Sequence, residues 1–254
     1  MPWPDDIRRI ESQYLADGFV VIPRFFGGVD IQLLSDNLQR YIDEVVPGLP
    51  TMDAFFEDVD SRQLIRMLPR MDKHDGYFRR LLVEGRLSDL AQRLCGTKVI
   101  PHDAAYFNKL PIVGDATPPH QDGYYFHLDP CKALTIWMAL DPVDQENGCL
   151  YYVRGSHRGE MRSHGRTAVL GFSQGIVDYG REEDLRSEVA ACVMPGDLII
   201  HDAMAIHRAD ANRSARTRRA LGFVYFSAEA KIDQARRDQY QKNLASDWRA
   251  KGKI

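Results

Sequence analysis

At 254 residues, with 44% hydrophobic and 27% charged positions, the chain is long enough to bury a sizeable core and too apolar for a disordered one. A net charge of −3 gives no support to a nucleic-acid partner, which would show as a strongly basic domain. Cys95, Cys131, Cys149 and Cys192 form no Cys-x-x-Cys pair, which argues against a zinc knuckle or redox dithiol and fits buried free thiols.

In chain order, Met1 to Asp6 lacks the basic and apolar regions of a signal peptide, and no apolar run reaches the length of a membrane span; a cytoplasmic protein with no membrane partner is expected. Ile7 to Ala16 predicts an amphipathic helix after Asp5 and Asp6, stopped by Gly18. Phe19 to Ile22 predicts a short strand ended by Pro23. Ile31, Leu34, Leu38, Tyr41, Ile42 and Val45 recur at helical spacing, so a second helix is expected over Val29 to Val45. Met52 to Asp75 shows no clear period. Tyr77 to Leu82 and Leu87 to Cys95 read as helices, with Gly96 as the stop.

From Val99 the pattern changes. Val99-Ile100, Ala104 to Asn108, Ala133 to Leu140, Cys149 to Val153, Ala190 to Met194, Leu198 to Ile200 and Ala220 to Phe226 read as strands separated by turn residues such as Glu146-Asn147-Gly148 and Pro195-Gly196-Asp197. Lys231 to Trp248 is charged and expected to be helical. Helices followed by short strands predict a mainly β fold with flanking helices: an antiparallel barrel or jelly roll buttressed by the N-terminal helices. A single domain is expected, helical to about residue 96, β from about 97 to 228, and a tail over 229–254.

The chemistry centres on His120-Gln121-Asp122. In an extended chain His120 and Asp122 would point to one face and Gln121 to the other, placing an imidazole and a carboxylate where they could share a metal ion. Two legs of a 2-His-1-carboxylate facial triad would result, the arrangement that binds non-heme Fe(II) with positions left open. His201 and His207 are both candidates for the third ligand, and Arg216, Arg218 and Arg219 follow close behind.

From His120-Gln121-Asp122 onward the chain resembles the phytanoyl-CoA dioxygenase-like family of Fe(II)- and 2-oxoglutarate-dependent oxygenases. The residues that carry the resemblance, in family order, are His120-Gln121-Asp122, Trp137, Asn147-Gly148, Gly155-Ser156-His157, Pro195-Gly196-Asp197, His207, Asn212-x-Ser214 and Arg218. The resemblance implies a double-stranded β-helix with iron held by His120, Asp122 and His207, leaving His201 a structural role. It implies that Arg218 pairs with the distal carboxylate of 2-oxoglutarate, a task suited to a permanently charged, planar, bidentate guanidinium. Arg216 and Arg219 are then expected in exposed ion pairs, Arg219 on the face opposite Arg218. Trp137 and Asn108 are implied to border the co-substrate, with Lys109 beside them. Ala209 stands where family members often have Ser, so one helper hydrogen bond is expected to be missing.

The implied reaction consumes O2 and 2-oxoglutarate, releases succinate and CO2, is supported in vitro by ascorbate, and hydroxylates an aliphatic carbon; the presence of Asp122, which related halogenases replace with a small residue, favours hydroxylation. A small polar or anionic metabolite is preferred as substrate over an acyl-CoA. Arg154, His157, Arg158, Arg162, His164 and Arg166 form a basic cluster that either receives an anionic group or is a solvated loop. A zinc hydrolase using the same three ligands, and a non-catalytic metal- or 2-oxoglutarate-binding module, are the alternatives.

Overall fold

The structure is a computed structural model that describes residues 7–58, 63–169, 172–235, 237–240, 242 and 246. Helix α1 (Ile7–Asp17) ends at Gly18, whose φ of +81° a residue with a Cβ would adopt only with strain, and the chain turns directly into β1 (Phe19–Ile22). Helix α2 (Gly28–Arg40) continues through a π-helical turn at Tyr41–Val45, so the expected apolar stripe is one face whose last turn is widened. The unassigned stretch holds β2 (Phe55–Asp58), β3 (Gln63–Leu68) and α3 (Met71–His74). A register shift between Phe55 and Phe56 breaks the alternation that would have marked the hairpin in the sequence. Asp75 then caps α4 (Gly76–Val83), its Oδ1 accepting the amides of Tyr77 at 2.9 Å and Phe78 at 3.3 Å, and Gly96 terminates α5 (Arg86–Cys95).

One long strand, β4 (Val99–Lys109), replaces the two short ones expected. Its ladder with the partner strand skips His102 beside Pro101, a register shift opposite Val224 and Tyr225 that breaks the pattern between the two expected strands. The chain then forms β5 (Thr117–His120), α6 (Gly123–Phe126), β6 (Leu128–Asp129), β7 (Ala133–Ala139) and β8 (Leu150–Val153). After these come β9 (His164–Val169), β10 (Phe172–Ile176), α7 (Glu182–Ser187), β11 (Glu188–Ala191), β12 (Leu198–Asp202), β13 (His207–Ala209), β14 (Arg218–Ser227) and β15 (Lys231–Ile232). The tail is therefore not helical from its start: β15 pairs with β6, helical residues begin at Gln234, and much of the stretch to Trp248 lies outside the described residues.

Two antiparallel sheets build the expected jelly roll, and neither closes into a barrel. The larger has strand order β1-β12-β7-β14-β4-β3-β2 and the smaller β11-β8-β13-β5. Alternation assigns the faces of the large sheet. Leu134, Ile136, Met138, Leu198, Ile200, Leu221, Phe223 and Tyr225 meet Leu34, Leu38, Phe78, Leu90 and other helix residues in the main core. Trp137, Ile199 and Ala220 turn the other way and pack with Leu150, Tyr152 and Ala209 of the small sheet. Both faces of the large sheet are thus covered, and every residue of β7 is buried. Polar residues on its inner face, Thr135, His201 and Arg218, are carried into the interior between the sheets.

Candidate active site and metal centre

Strand pairing assembles the two histidines. In the small sheet β13 lies between β5 and β8, with His207 opposite both His120 and Tyr152, and the rings of His120 and His207 lie 4.1 Å apart. Asp122 arrives by a different route from the one the sequence suggested. The strand ends at His120, and Asp122 has φ −56° and ψ −35°, helical values that begin α6; two-residue alternation is not what brings it beside His120. A turn does: the Gly123 amide donates to the Ala203 carbonyl, and a Cβ on Gly123 would collide with Cys131 Sγ, so glycine leaves room for this close packing. Gln121 does face away, its side chain buried and bonded to the Met204 carbonyl and the Arg162 amide, both at 2.9 Å.

Asp122 Oδ1 lies 3.4 Å from His120 Nε2 and 3.7 Å from His207 Nε2, and one ligand atom from each of the three residues falls within 4.8 Å of the others. The opposite side of each group is already engaged. His120 Nδ1 donates to the Pro118 carbonyl at 2.7 Å and His207 Nδ1 to the Ala205 carbonyl at 3.0 Å, which leaves each Nε2 with its lone pair toward the cluster. Asp122 Oδ2 accepts from Thr135 Oγ1 at 2.7 Å and His201 Nε2 at 3.1 Å. Burial alone would raise the Asp122 pKa, but His207, His120 and His201 more than offset it and hold the carboxyl well below its ordinary range. Burial and the neighbouring imidazoles push His207 well down, so it stays neutral. Two imidazoles and one carboxylate converging in a buried pocket fit a divalent cation.

A cavity of about 120 Å³ opens on this cluster and is closed at another wall by Arg218 and Trp137. Arg218 is 4% exposed, its Nε has no hydrogen-bond partner, and no carboxylate among the described residues forms an ion pair with it. Its guanidinium sits 5.3 Å from the centre of the Trp137 ring, and burial pushes its pKa down to about 10. A buried charge with no counter-ion is costly, so the pocket is built for an anion. Asn108 also lines it, with Nδ2 on the Ile65 carbonyl at 3.1 Å and Oδ1 without a partner; so does Lys109, which is buried and donates to the Asp115 carbonyl. The Arg218 strand is positioned by Asn212, whose amide donates to the Lys109 carbonyl at 3.0 Å and to the Arg216 carbonyl at 2.6 Å while its Oδ1 accepts from Ser214.

Other expected residues lie elsewhere. Arg216 pairs with Asp144 and Glu146 at the surface, and Arg219 forms a two-pronged bond to Asp141 on the far side of β14. None of the six basic-cluster residues lines the cavity. Arg162 is engaged by Asp178 and Asp184, Arg158 by the Ala16 carbonyl, His157 by the Leu15 carbonyl, and Arg154 lies 3.8 Å from Asp17. His164 accepts the Gln121 amide and stacks on Tyr124, and Arg166 is exposed. Reading the sequence missed Thr135 and singled out His201 only as a rejected ligand; both donate to the metal-side carboxylate. The one signal available was their place on the inner face of strands β7 and β12, in register with each other.

The phytanoyl-CoA dioxygenase family model matches residues 14–220, most of the chain. The chain belongs to that family. Membership makes it an Fe(II)- and 2-oxoglutarate-dependent dioxygenase. Relatives include the mouse peroxisomal phytanoyl-CoA dioxygenase, 27% identical over 250 residues that cover 92% of this chain and 72% of the relative. The zebrafish phytanoyl-CoA dioxygenase domain-containing protein 1 is 29% identical over 208 residues, 80% of this chain and 70% of the relative. Among solved structures, the epimerase SnoN in complex with Fe3+, alpha ketoglutarate and nogalamycin RO superposes with a TM-score of 0.73 at 23% identity, over 91% of this chain and 87% of that one. EctD from S. alaskensis with 2-oxoglutarate and 5-hydroxyectoine gives 0.73 at 21%, over 91% and 81%. At these identities the likeness shows a shared fold. No described helix is long and apolar enough to cross a membrane.

Proposed function

We propose that this dioxygenase hydroxylates an aliphatic carbon of a small polar or anionic metabolite, with Fe(II) held by His120, Asp122 and His207 and the distal carboxylate of 2-oxoglutarate held by Arg218. The observation that carries this reading is one cavity with a two-imidazole, one-carboxylate cluster on one wall and a buried guanidinium without a counter-ion on another. When bound, iron supplies oxygen activation coupled to the decarboxylation of 2-oxoglutarate to succinate and CO2.

The chain's own residues orient that chemistry. Arg218 offers the co-substrate's far end a planar donor pair, fixing both its charge and its direction. Trp137, its ring centre 5.3 Å from the guanidinium, excludes water and makes the ion pair stronger than it would be in solvent. Asn108 contributes to the wall of the same cavity, its amide held by the Ile65 carbonyl. Buried Ala209 offers no hydroxyl, so more of the carboxylate recognition rests on Arg218. With Oδ2 of Asp122 engaged by Thr135 and His201, Oδ1 is the carboxylate oxygen left to hold a metal ion beside His120 and His207, and a facial set of three protein ligands would leave room for the co-substrate. The small-metabolite preference is supported by the basic segment at 154–166, where Arg162 and Arg158 are held by internal partners and so are not waiting for the phosphates of a CoA.

Succinate release tests the reading. Purified protein with Fe(II), 2-oxoglutarate, ascorbate and O2 is screened against small anionic metabolites and acyl-CoA thioesters, beside Arg218→Ala. Substrate-stimulated succinate that disappears in the variant is the expected result. Stoichiometric metal binding with no succinate under any condition would sink it.

A further inference from the structure

Behind the His201 donor to Asp122 stands a further side chain, Tyr152. Tyr152 on β8 is fully buried, and its ring lies between Phe19, stacked at 4.5 Å, and His207, stacked at 5.5 Å. Its hydroxyl meets His201 Nδ1 at 2.9 Å, and His201 Nε2 meets Asp122 Oδ2 at 3.1 Å. We infer that Tyr152 and His201 act together as positioning residues for the metal centre, fixing Asp122 as a one-oxygen ligand and bracing the His207 ring.

The proton positions follow from chemistry. An ionised carboxylate only accepts, so His201 Nε2 must carry the hydrogen that faces Asp122. The other ring nitrogen, Nδ1, is taken up by the Tyr152 hydroxyl. Tyr152 therefore holds the ring in the orientation in which His201 Nε2 supports Asp122. Thr135, paired with His201 across β7 and β12, supplies the other donor, so Oδ2 is engaged from two adjacent strands and only Oδ1 faces His120 and His207. The same tyrosine touches two of the three ligands, one through His201 and one through its ring face. Because Tyr152 is on the small sheet and His201 on the large one, the pair also ties the sheets together at the metal.

This inference rests on the proposed metal site, and Co(II) titration separates the two. Co(II) absorbs in the visible region and reports affinity and ligand geometry without turnover. The wild type, His201→Leu, His201→Gln and Tyr152→Phe are titrated with Co(II), and each metal-free protein is melted to check its fold. His201→Leu is expected to weaken Co(II) binding by about tenfold or more and to change the spectrum, as loss of a donor behind a metal ligand does. His201→Gln, which keeps an N–H near the position of Nε2, is expected to recover most of that loss, whereas a purely packing role would favour Leu over Gln. Tyr152→Phe keeps the ring stack and loses only the hydroxyl, so a partial loss is expected. Wild-type affinity and spectrum in His201→Leu overturn the inference, and if that variant does not fold, wild-type behaviour in Tyr152→Phe does so. Failure of the wild type to bind Co(II) overturns the metal reading itself, and the inference with it.

Discussion

The six basic residues between Arg154 and Arg166 and the two cations on the inner wall, Arg218 and Lys109, respond oppositely to the same fold. The first group is dense in sequence but most of its members are engaged by neighbouring segments: Arg162 alone bonds to Asp178 and to both oxygens of Asp184. The second pair is scattered in sequence, yet β4 and β14 place the residues directly opposite each other beside the cavity, with no carboxylate on Arg218 and one carbonyl on Lys109. A run of basic residues therefore does not locate an anion site here. The candidate anion site is instead marked by one buried guanidinium without a counter-ion among the described residues.

The largest effect that sharpens this contrast is expected from Arg218→Ala. Losing a buried, bidentate, charge-assisted contact should raise the 2-oxoglutarate KM by about a hundredfold or more, measured from succinate formation. A KM within a few-fold of wild type would show that the co-substrate is anchored elsewhere. Arg162→Ala probes the other region. Asp184 is 3% exposed and would lose its counter-ion, so unfolding stability should fall by about 3 kcal/mol in denaturant melts while the 2-oxoglutarate KM stays unchanged. A raised KM would return the basic segment to the site.

The contrast also explains what could be read before folding. His120 and Asp122 stood out as candidates by residue type and spacing, whereas the choice of His207 over His201 and of Arg218 over Arg216 and Arg219 came from the order of motifs shared with the family, not from chemistry alone. Strand periodicity exposed β7, β12 and β14, whose faces alternate against two different cores. The route that brings Asp122 to the cluster was not legible, since a helical turn at Gly123 is set by contact with Ala203 and Cys131, residues with no local trace. Thr135 and His201 were hidden for a related reason. They act by touching a ligand, and a hydrogen bond across strands leaves no spacing to count. The hairpin β2–β3 was masked by its register shift.

Lys109 gives a smaller effect with a definite sign. Burial first, then Arg218 and Arg66, push its ammonium down to about 6, so above that pH the ligand-free side chain is mostly neutral. A dianion entering the cavity favours the charged form, raises that pKa and takes up a proton on binding. Affinity for 2-oxoglutarate should then be highest near pH 6 and fall as pH rises toward 8, and Lys109→Met should flatten the profile. A KM independent of pH in the wild type would show that Lys109 does not sense the co-substrate.

The smallest expected effect comes from the residue next to Arg218. Arg219 has the same side chain on the same strand, but alternation sends it outward to Asp141, and its side chain remains 40% exposed. Water screens that pair, so Arg219→Ala should cost about 1 kcal/mol of stability or less and leave the 2-oxoglutarate KM unchanged. Its value lies in the pairing with Arg218→Ala. Both variants delete one positive charge from nearly the same place, so a long-range field acting on an anionic co-substrate would weaken binding in both. Loss confined to Arg218 would assign recognition to direct contact in a desolvated pocket, and equal losses would assign it to net charge at that end of the sheet.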